Sequence, residues 1–138
     1  MWNKRKPEYG DHIRVSRGLY YHHGIYKDDQ NVYQFASPIG SEVSPQTAKI
    51  IITSLADFIK DGELEVRDFT DLEKKEKRSP LDIIKFAESK LGDNMGGYDI
   101  VKNNCEHFAN LCVFGKAKSE QVDSFMSIFG GLFKWESE

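Results

Sequence analysis

The sequence predicts an α+β fold, with most of its strands before residue 70 and its longer helices after it. Segments that alternate polar and apolar residues, or that are rich in β-branched and aromatic residues, are typical of strands. They occur at 12–16, 20–26, 31–36, 50–53 and 64–69. Helix-start signals and apolar residues at helical spacing follow from residue 79 onward. The 138 residues suffice for one domain with its own hydrophobic core.

The charge, the cysteines and the lack of long apolar runs argue against a nucleic-acid-binding, disulfide-bonded, secreted or membrane-spanning protein. The formal net charge of −3 gives no reason to expect nucleic acid as a partner. Cys105 and Cys112 are seven residues apart on one predicted helix, a rise of roughly 10 Å that is too long for a disulfide. We therefore expect reduced thiols and a cytoplasmic protein. No apolar run has the form of a secretory signal or the length of a membrane span.

The N-terminal part should contain a lead-in and a first strand. Residues 1–9 are expected to be loose, with Trp2 and Tyr9 as candidate anchors. The strand at 12–16 has two apolar residues at alternate positions. These should point inward, so His12 should face solvent.

The next two strands, 20–26 and 31–36, should pair as an antiparallel hairpin around a turn at 27–30. A loop containing Ser, Pro and Gly follows at 37–48, and a short β-branched strand at 50–53. Together these segments predict a small sheet.

A short helix should begin at Ser54, because Asp57 three residues later completes a capping-box-like pattern. A strand at 64–69 follows. The charge run at 73–78 mixes both signs, which favours a solvated linker over a binding patch.

Ser79 and Pro80 predict a strong helix start, with Ser as N-cap and Pro at the first helical position. Gly92 is the predicted stop. The apolar stripe of this helix should consist of Leu81, Ile84, Ala87 and Leu91, widened by Ile83 and Phe86.

The segment Asn-Asn-Cys-Glu-His-Phe at 103–108 predicts a helix with a thiol in its first turn. Asn103 or Asn104 is a suitable N-cap, and Gly115 is the predicted C′ residue. Cys105 would then lie where backbone N–H groups and the helix dipole favour a thiolate and lower the pKa of the thiol. The thiolate is the nucleophilic form of cysteine. The alternative is that Cys105 is a small buried core residue.

Residues 123–138 form the predicted C-terminal tail, which contains an apolar helical face and the segment Leu-Phe-Lys-Trp. The tail either packs on the core as a helix or makes a peripheral membrane contact. The membrane contact would involve Phe125, Phe129, Phe133 and Trp135.

A cysteine nucleophile needs a base, and strand parity supplies a candidate. His22 and His23 should point to opposite faces of their strand. In a suitable hairpin register His22 and Gln34 lie side by side, so the Gln34 amide oxygen accepts a ring N–H and orients the imidazole. His107 is two residues from Cys105 on the same helix and points to a different side. The predicted set is Cys105 as nucleophile, His22 as base and Gln34 as the orienting residue.

Two alternatives stay open at this point. His22 is either the base or a half-buried strand histidine with a satisfied hydrogen bond. A zinc site from Cys105, Cys112, His22 and His107 is the other alternative, although no pair has a usual zinc-ligand spacing.

Two motifs resemble the lecithin:retinol acyltransferase (LRAT) family. Tyr-Tyr-His-His-Gly-Ile-Tyr at 20–26 and Asn-Asn-Cys-Glu-His-Phe at 103–108 carry the resemblance, which spans residues 10–122 and predicts a catalytic domain there. The resemblance implies the permuted papain-like fold of the wider NlpC-like group. In that fold a small antiparallel sheet packs on the helix that carries the nucleophilic cysteine.

The resemblance also implies the chemistry of the site. His22 and Cys105 match the base and nucleophile of the family, and its third residue, usually a second histidine, falls at Gln34. This departure keeps an acceptor for the ring but changes the polarity of the site. Animal members use phospholipids as acyl donors, which implies a lipid or acyl-ester substrate.

Together these features predict a thiol-dependent acyltransferase or hydrolase that requires no metal or organic cofactor. Cys105 would attack an ester or amide carbonyl while His22 takes its proton, and the acyl–Cys105 thioester would be resolved by water or a second nucleophile. The Cys105 backbone N–H is the predicted oxyanion donor, with Tyr20 as a candidate second donor. The alternatives are a cysteine peptidase or amidase, and a catalytically silent interaction module of the same fold.

Overall fold

The computed structural model describes residues 1–39, 41–97 and 101–115. In this part of the chain the strands are β1 (Trp2–Asn3), β2 (His12–Ser16), β3 (Tyr21–Asp28), β4 (Asn31–Ala36), β5 (Lys49–Thr53) and β6 (Leu64–Arg67). The helices are α1 (Leu55–Ile59), α2 (Asp71–Glu76), α3 (Pro80–Ser89) and α4 (Val101–Phe114). The six strands form one sheet in the order β1-β6-β2-β3-β4-β5, with every neighbouring pair antiparallel. The predicted α+β class is confirmed.

The predicted hairpin is confirmed as β3–β4. Its register pairs Gly24 with Gln34 and continues to Asp28 and Asn31 at the turn. The Asp28 carboxylate accepts from the Gln30 backbone N–H at 2.9 Å, which fixes the turn. This register decides which side chains of the two strands can meet.

Apolar side chains cover both faces of the sheet. On one face, a cluster that includes Ile25 and Phe35 packs against α3 and α4, and Cys105, Phe108 and Cys112 belong to it. On the opposite face, a second cluster includes Val15 and Phe58 of α1. Because successive strand residues alternate between faces, odd-numbered β3 residues face α4 and even-numbered ones face α1.

The N-terminus differs from the prediction of a loose lead-in. Trp2 and Asn3 pair with Arg67 and Val66, so this segment adds an edge strand to the sheet. The Met1 amino group also donates to the Asp68 carbonyl at 3.0 Å.

The prediction that His12 faces solvent is wrong. His12 is fully buried, its Nε2 lies 2.9 Å from His23 Nδ1, and the Trp2 ring meets it edge-on with 4.9 Å between centroids. The parity of β2 is as expected, since Ile13 and Val15 are buried on the other face. Both faces of the sheet are covered, so this strand has no solvent side at His12.

The charge run at 73–78 lies in helix α2 up to Glu76, so most of it is helical and not an unstructured linker. Thr70 and Glu73 form a reciprocal capping box at the start of α2, in which no residue is buried. The helix is therefore stabilised by its cap and its charges and contributes nothing to the core.

The start of α3 is confirmed, with the Ser79 side chain accepting from the Asp82 N–H and Pro80 in the first turn. Its predicted apolar stripe needs correction, because Leu81 is 52% and Leu91 is 38% exposed. The face that packs on the sheet consists of Ile83, Ile84 and Ala87.

The C-terminal tail, with Phe125, Phe129, Phe133 and Trp135, lies outside the described residues. Its packing and its membrane contact stay predictions. Among the described residues, none of the helices combines the length and apolar character needed to cross a lipid bilayer.

Candidate active site

His22 and Gln34 lie side by side on the α1 face of the sheet, as predicted. His22 Nε2 is 2.6 Å from the Gln34 amide oxygen. The Gln34 amide nitrogen donates to Thr53 Oγ1 at 2.6 Å, and Thr53 Oγ1 donates to the Ser54 carbonyl at 3.1 Å. Because the amide nitrogen is engaged by Thr53, the amide oxygen must face the ring and accept an N–H from Nε2. The neutral ring therefore carries its lone pair on Nδ1.

The His22 ring is 1% exposed, and none of the described residues gives its Nδ1 a hydrogen-bond partner. Burial lowers the pKa of His22, while the Glu42 carboxylate and the Gln34 hydrogen bond act in the opposite direction. The net shift is downward, so the ring is neutral at pH 7. It is thus a buried imidazole whose basic nitrogen is available to take a proton.

Cys105 differs from its prediction in two respects. Helix α4 begins at Val101, so Asn103 and Asn104 lie inside the helix and neither is the N-cap. The thiol is fully buried, and burial raises its pKa to about 12, although the backbone N–H groups of His23 and Glu106 hydrogen-bond to it. The prediction of a lowered pKa is therefore wrong, because desolvation of the thiolate outweighs these donors. The predicted helix end at Gly115 is confirmed by its φ of 76°.

The sulfur occupies an opening between β3 and β4. Tyr26 is bonded to Asp11 on the β2 side, so by alternation the backbone groups of Tyr21 and His23 point towards β4. The β3–β4 register stops at Gly24, so neither Tyr21 nor His23 has a paired residue on β4. Cys105 Sγ lies in this opening. It is 3.7 Å from the Tyr21 carbonyl oxygen and accepts a hydrogen bond from the His23 N–H. The structure thus brings Cys105 to the backbone on both sides of His22, without a hydrogen bond between Sγ and Nδ1.

Glu42 is a residue of the site that the sequence did not reveal. Arg17 Nε donates to its carboxylate at 2.9 Å, the Tyr20 hydroxyl donates to it, and Lys60 Nζ lies 3.4 Å away. Burial raises the pKa of Glu42, but the Arg17 hydrogen bond, His22 and Tyr20 lower it to about 2. Arg17 and Glu42 are 25 residues apart, in a turn and a loop, so no local pattern links them.

Tyr20 is near the base, with its ring edge-on to His22 at 6.4 Å between centroids. Its hydroxyl donates to Glu42, and burial together with this bond raises the pKa of the phenol. The role of Tyr20 as an oxyanion donor stays a prediction. Its hydroxyl proton is engaged by Glu42, so Tyr20 would have to break that hydrogen bond before it could donate to a substrate oxygen.

A polar network lies on the opposite face. His23 is bonded to His12, Arg67 Nη1 lies 3.3 Å from His12 Nδ1, and Arg67 also donates to Asn110 at 2.9 Å and to Glu73 at 3.1 Å. Burial lowers the pKa of both histidines well below its usual value. The network shows that His23 points away from His22, as strand parity predicted.

The zinc alternative gains no support. Within residues 1–39, 41–97 and 101–115, no three His, Cys, Asp or Glu side chains are grouped closely enough to hold a metal ion. Cys112 belongs to the apolar cluster on the α4 face, whereas His22 faces α1.

Comparison with known proteins finds a matching family model and several relatives. A family model described as lecithin retinol acyltransferase matches residues 5–118. Human phospholipase A and acyltransferase 3 is 33% identical over 127 residues, which cover 85% of this chain and 76% of the relative. Human phospholipase A and acyltransferase 1 is 31% identical over 129 residues, covering 86% and 74%. Rat lecithin retinol acyltransferase is 26% identical over 136 residues, covering 84% of this chain and 58% of the relative.

The matched region contains all the site residues described above, from Arg17 to Cys105. With a family model over most of its length and relatives above 30% identity, the chain belongs to the lecithin retinol acyltransferase family.

Proposed function

We propose that the chain is a thiol-dependent acyltransferase or hydrolase that acts on lipid esters, with phospholipids as the acyl donors. The relatives are named for phospholipase A and acyltransferase activities, which supports this chemistry. The observation that carries the proposal is the pair formed by His22 and Gln34, with Cys105 against the backbone of the same strand. We also propose the permuted papain-like arrangement for the fold.

The protonation states define the first step. The raised pKa of Cys105 keeps its thiol protonated at neutral pH, and the lowered pKa of His22 keeps the ring neutral. The resting pair is therefore neutral, and His22 acts as a general base during attack. The S–H bond breaks, Nδ1 gains the proton, and Sγ forms a bond to the ester carbonyl carbon.

The tetrahedral intermediate then collapses. The ester C–O bond breaks, the Nδ1 proton passes to the leaving alkoxide, and an acyl–Cys105 thioester remains. Water or an acceptor alcohol or amine then gives its proton to His22 and forms a bond to the thioester carbonyl carbon. The C–S bond breaks, the acyl group leaves on the attacking oxygen or nitrogen, and His22 returns the proton to Cys105 Sγ. Throughout, Gln34 holds the ring through Nε2, as the third member of such a set must.

The resting site has to open before a substrate enters, because the Cys105 and His22 side chains are buried. This burial favours a second candidate, a silent interaction module of the same fold. An amide substrate is the alternative within the same chemistry.

The test is acyl release and transfer from phospholipid vesicles by the native protein and two variants. Cys105→Ala should abolish both, whereas Cys112→Ala should keep them, since Cys112 is a buried thiol of the same helix inside the apolar cluster. Inactivity of the native protein on phospholipid and on simple amide substrates would favour the silent module. Activity that survives in Cys105→Ala would contradict the nucleophile.

Membrane contact through the aromatic tail, and a cytoplasmic location, remain proposals. Sedimentation with vesicles of the full chain and of residues 1–122 tests the contact. Equal pelleting of the two forms would remove it.

A further inference from the structure

Glu42 faces the ring nitrogen of His22 that Gln34 does not engage. Glu42 Oε2 lies 4.0 Å from Nδ1, whereas Gln34 binds Nε2. We propose that Glu42 is a positioning residue that stabilises the protonated His22 ring, so that Gln34 supplies orientation and Glu42 supplies negative charge. This inference rests on the function proposed above, because it concerns the base of the same site.

The Glu42 carboxylate is held as a fixed anion. It receives hydrogen bonds from Arg17 and Tyr20, and its side chain is only 12% exposed. Arg17 is itself anchored by the carbonyl groups of Phe58 at 2.6 Å and Ile59 at 3.2 Å, at the end of α1. A carboxylate fixed from both sides keeps its charge and its place while the ring changes protonation.

The distance suits a through-space role. At 4.0 Å the carboxylate is too far to form a hydrogen bond with Nδ1, so the lone pair remains available for the Cys105 proton. Once that proton has moved to Nδ1, the imidazolium is attracted by a negative charge in a largely buried site, where water screens the attraction less than in bulk solvent. Gln34 is neutral and cannot provide this attraction.

Other charged and titratable groups also act on His22. Arg17 in the β2–β3 turn and Lys60 after α1 disfavour the protonated ring. Tyr20 contacts the ring as a neutral phenol, neutral His23 follows on β3, and protonated Cys105 lies on α4. Glu42 is the group that offsets the two cations.

The experiment is a ¹⁵N NMR titration of His22 in the native protein and in Glu42→Gln, Lys60→Gln and Glu65→Gln. Glu42→Gln keeps the shape but removes the charge, so the proton affinity of His22 should fall at least tenfold. Lys60→Gln should raise that affinity, by less, because Lys60 is 55% exposed. Glu65 is the matched control: it is also paired with an arginine, Arg14, at 2.7 Å, and should leave His22 unchanged.

An activity profile against pH gives a second readout. In Glu42→Gln the acid limb should move to lower pH, together with a lower maximal rate at saturating substrate. A merely structural role would lower the melting temperature and leave the His22 titration and the acid limb in place. If Glu42→Gln does not fold, Glu42→Asp decides: it keeps the carboxylate but withdraws it from the ring, so the proton affinity of His22 should still fall.

An unchanged His22 titration in Glu42→Gln, or in Glu42→Asp if only that variant folds, overturns the inference. The titration needs no turnover, so it decides the role of Glu42 even if the native protein transfers no acyl group. That inactivity would count against the proposed function alone.

Discussion

Gly24 lies directly beside the candidate base, and its replacement by alanine is a sharp test of the packing there. A Cβ at this position would lie 2.7 Å from the Phe58 ring and 2.9 Å from the Tyr33 carbonyl oxygen. Carbon atoms normally approach to about 3.5–4.0 Å, so the buried Phe58 ring has to move by roughly 1 Å. The Phe58 and His22 ring centroids are 5.3 Å apart, so this movement presses on His22.

The expected cost follows from these contacts. Overpacking of a core of this kind costs about 1–3 kcal/mol. Replacing a strand glycine returns only about 0.5–1 kcal/mol of backbone entropy, so the net effect of Gly24→Ala is destabilising. For a chain of this length the melting temperature should fall by roughly 3–10 °C, measured by circular dichroism and checked by urea unfolding.

A double-mutant cycle with Phe58→Leu separates the clash from other causes. Phe58→Leu alone should cost about 1–2 kcal/mol through the space it leaves. The two changes together should cost less than their sum by about 1 kcal/mol, because the smaller side chain makes room for the new methyl group. Strictly additive costs, or a Gly24→Ala protein as stable as the native one, would refute the reasoning.

Three further predictions concern the rest of the molecule. Burial lowers the pKa of His12, His22 and His23 in the folded state. Above the unfolded pKa of about 6.5 these histidines are neutral in both states, and their contribution to stability is complete. As the pH falls below that value the unfolded chain takes up protons that the folded chain does not, so the free energy of unfolding should fall by up to about 4 kcal/mol per pH unit for the three. Urea unfolding at pH 7.5, 6.5 and 5.5 measures this loss, and a flat profile would contradict it. Ser79→Ala removes the α3 cap and should cost about 1 kcal/mol in the same assay, whereas Ser79→Gly should cost only a few tenths; equal costs would argue against the cap. Cys105 should react with iodoacetamide at pH 7.5 at least tenfold more slowly than a free cysteine, because burial raises its pKa to about 12, and faster reaction would show that the thiol is activated at rest.

Local patterns predicted the parts of the fold that depend on near neighbours in the chain. The period-two alternation and the turn between two aromatic segments gave the β3–β4 hairpin, and with it the contact between His22 and Gln34. Ser79 and Gly115 marked helix ends by chemistry that acts within a few residues. Thr70 and Glu73 have the spacing of a capping box in the sequence, but the mixed charges around them favoured a linker.

The remaining features depend on contacts between distant parts of the chain. His12 is buried because α4 and the Trp2 strand cover the second face of the sheet, which alternation in one strand does not reveal. Glu42 reaches the site from a loop through Arg17. The pKa of Cys105 is set by burial under tertiary packing, and its position near a helix start could not predict that.

The central claim is that Cys105 receives an acyl group while His22 takes its proton. Intact mass spectrometry after incubation with mixed phospholipids tests it most directly, on the native protein, Cys105→Ala, His22→Ala and the control Cys112→Ala. We predict a fatty-acyl mass on the native protein and on Cys112→Ala, and none on the other two. An adduct that persists in Cys105→Ala, or no adduct on any form under conditions of acyl turnover, would contradict the account.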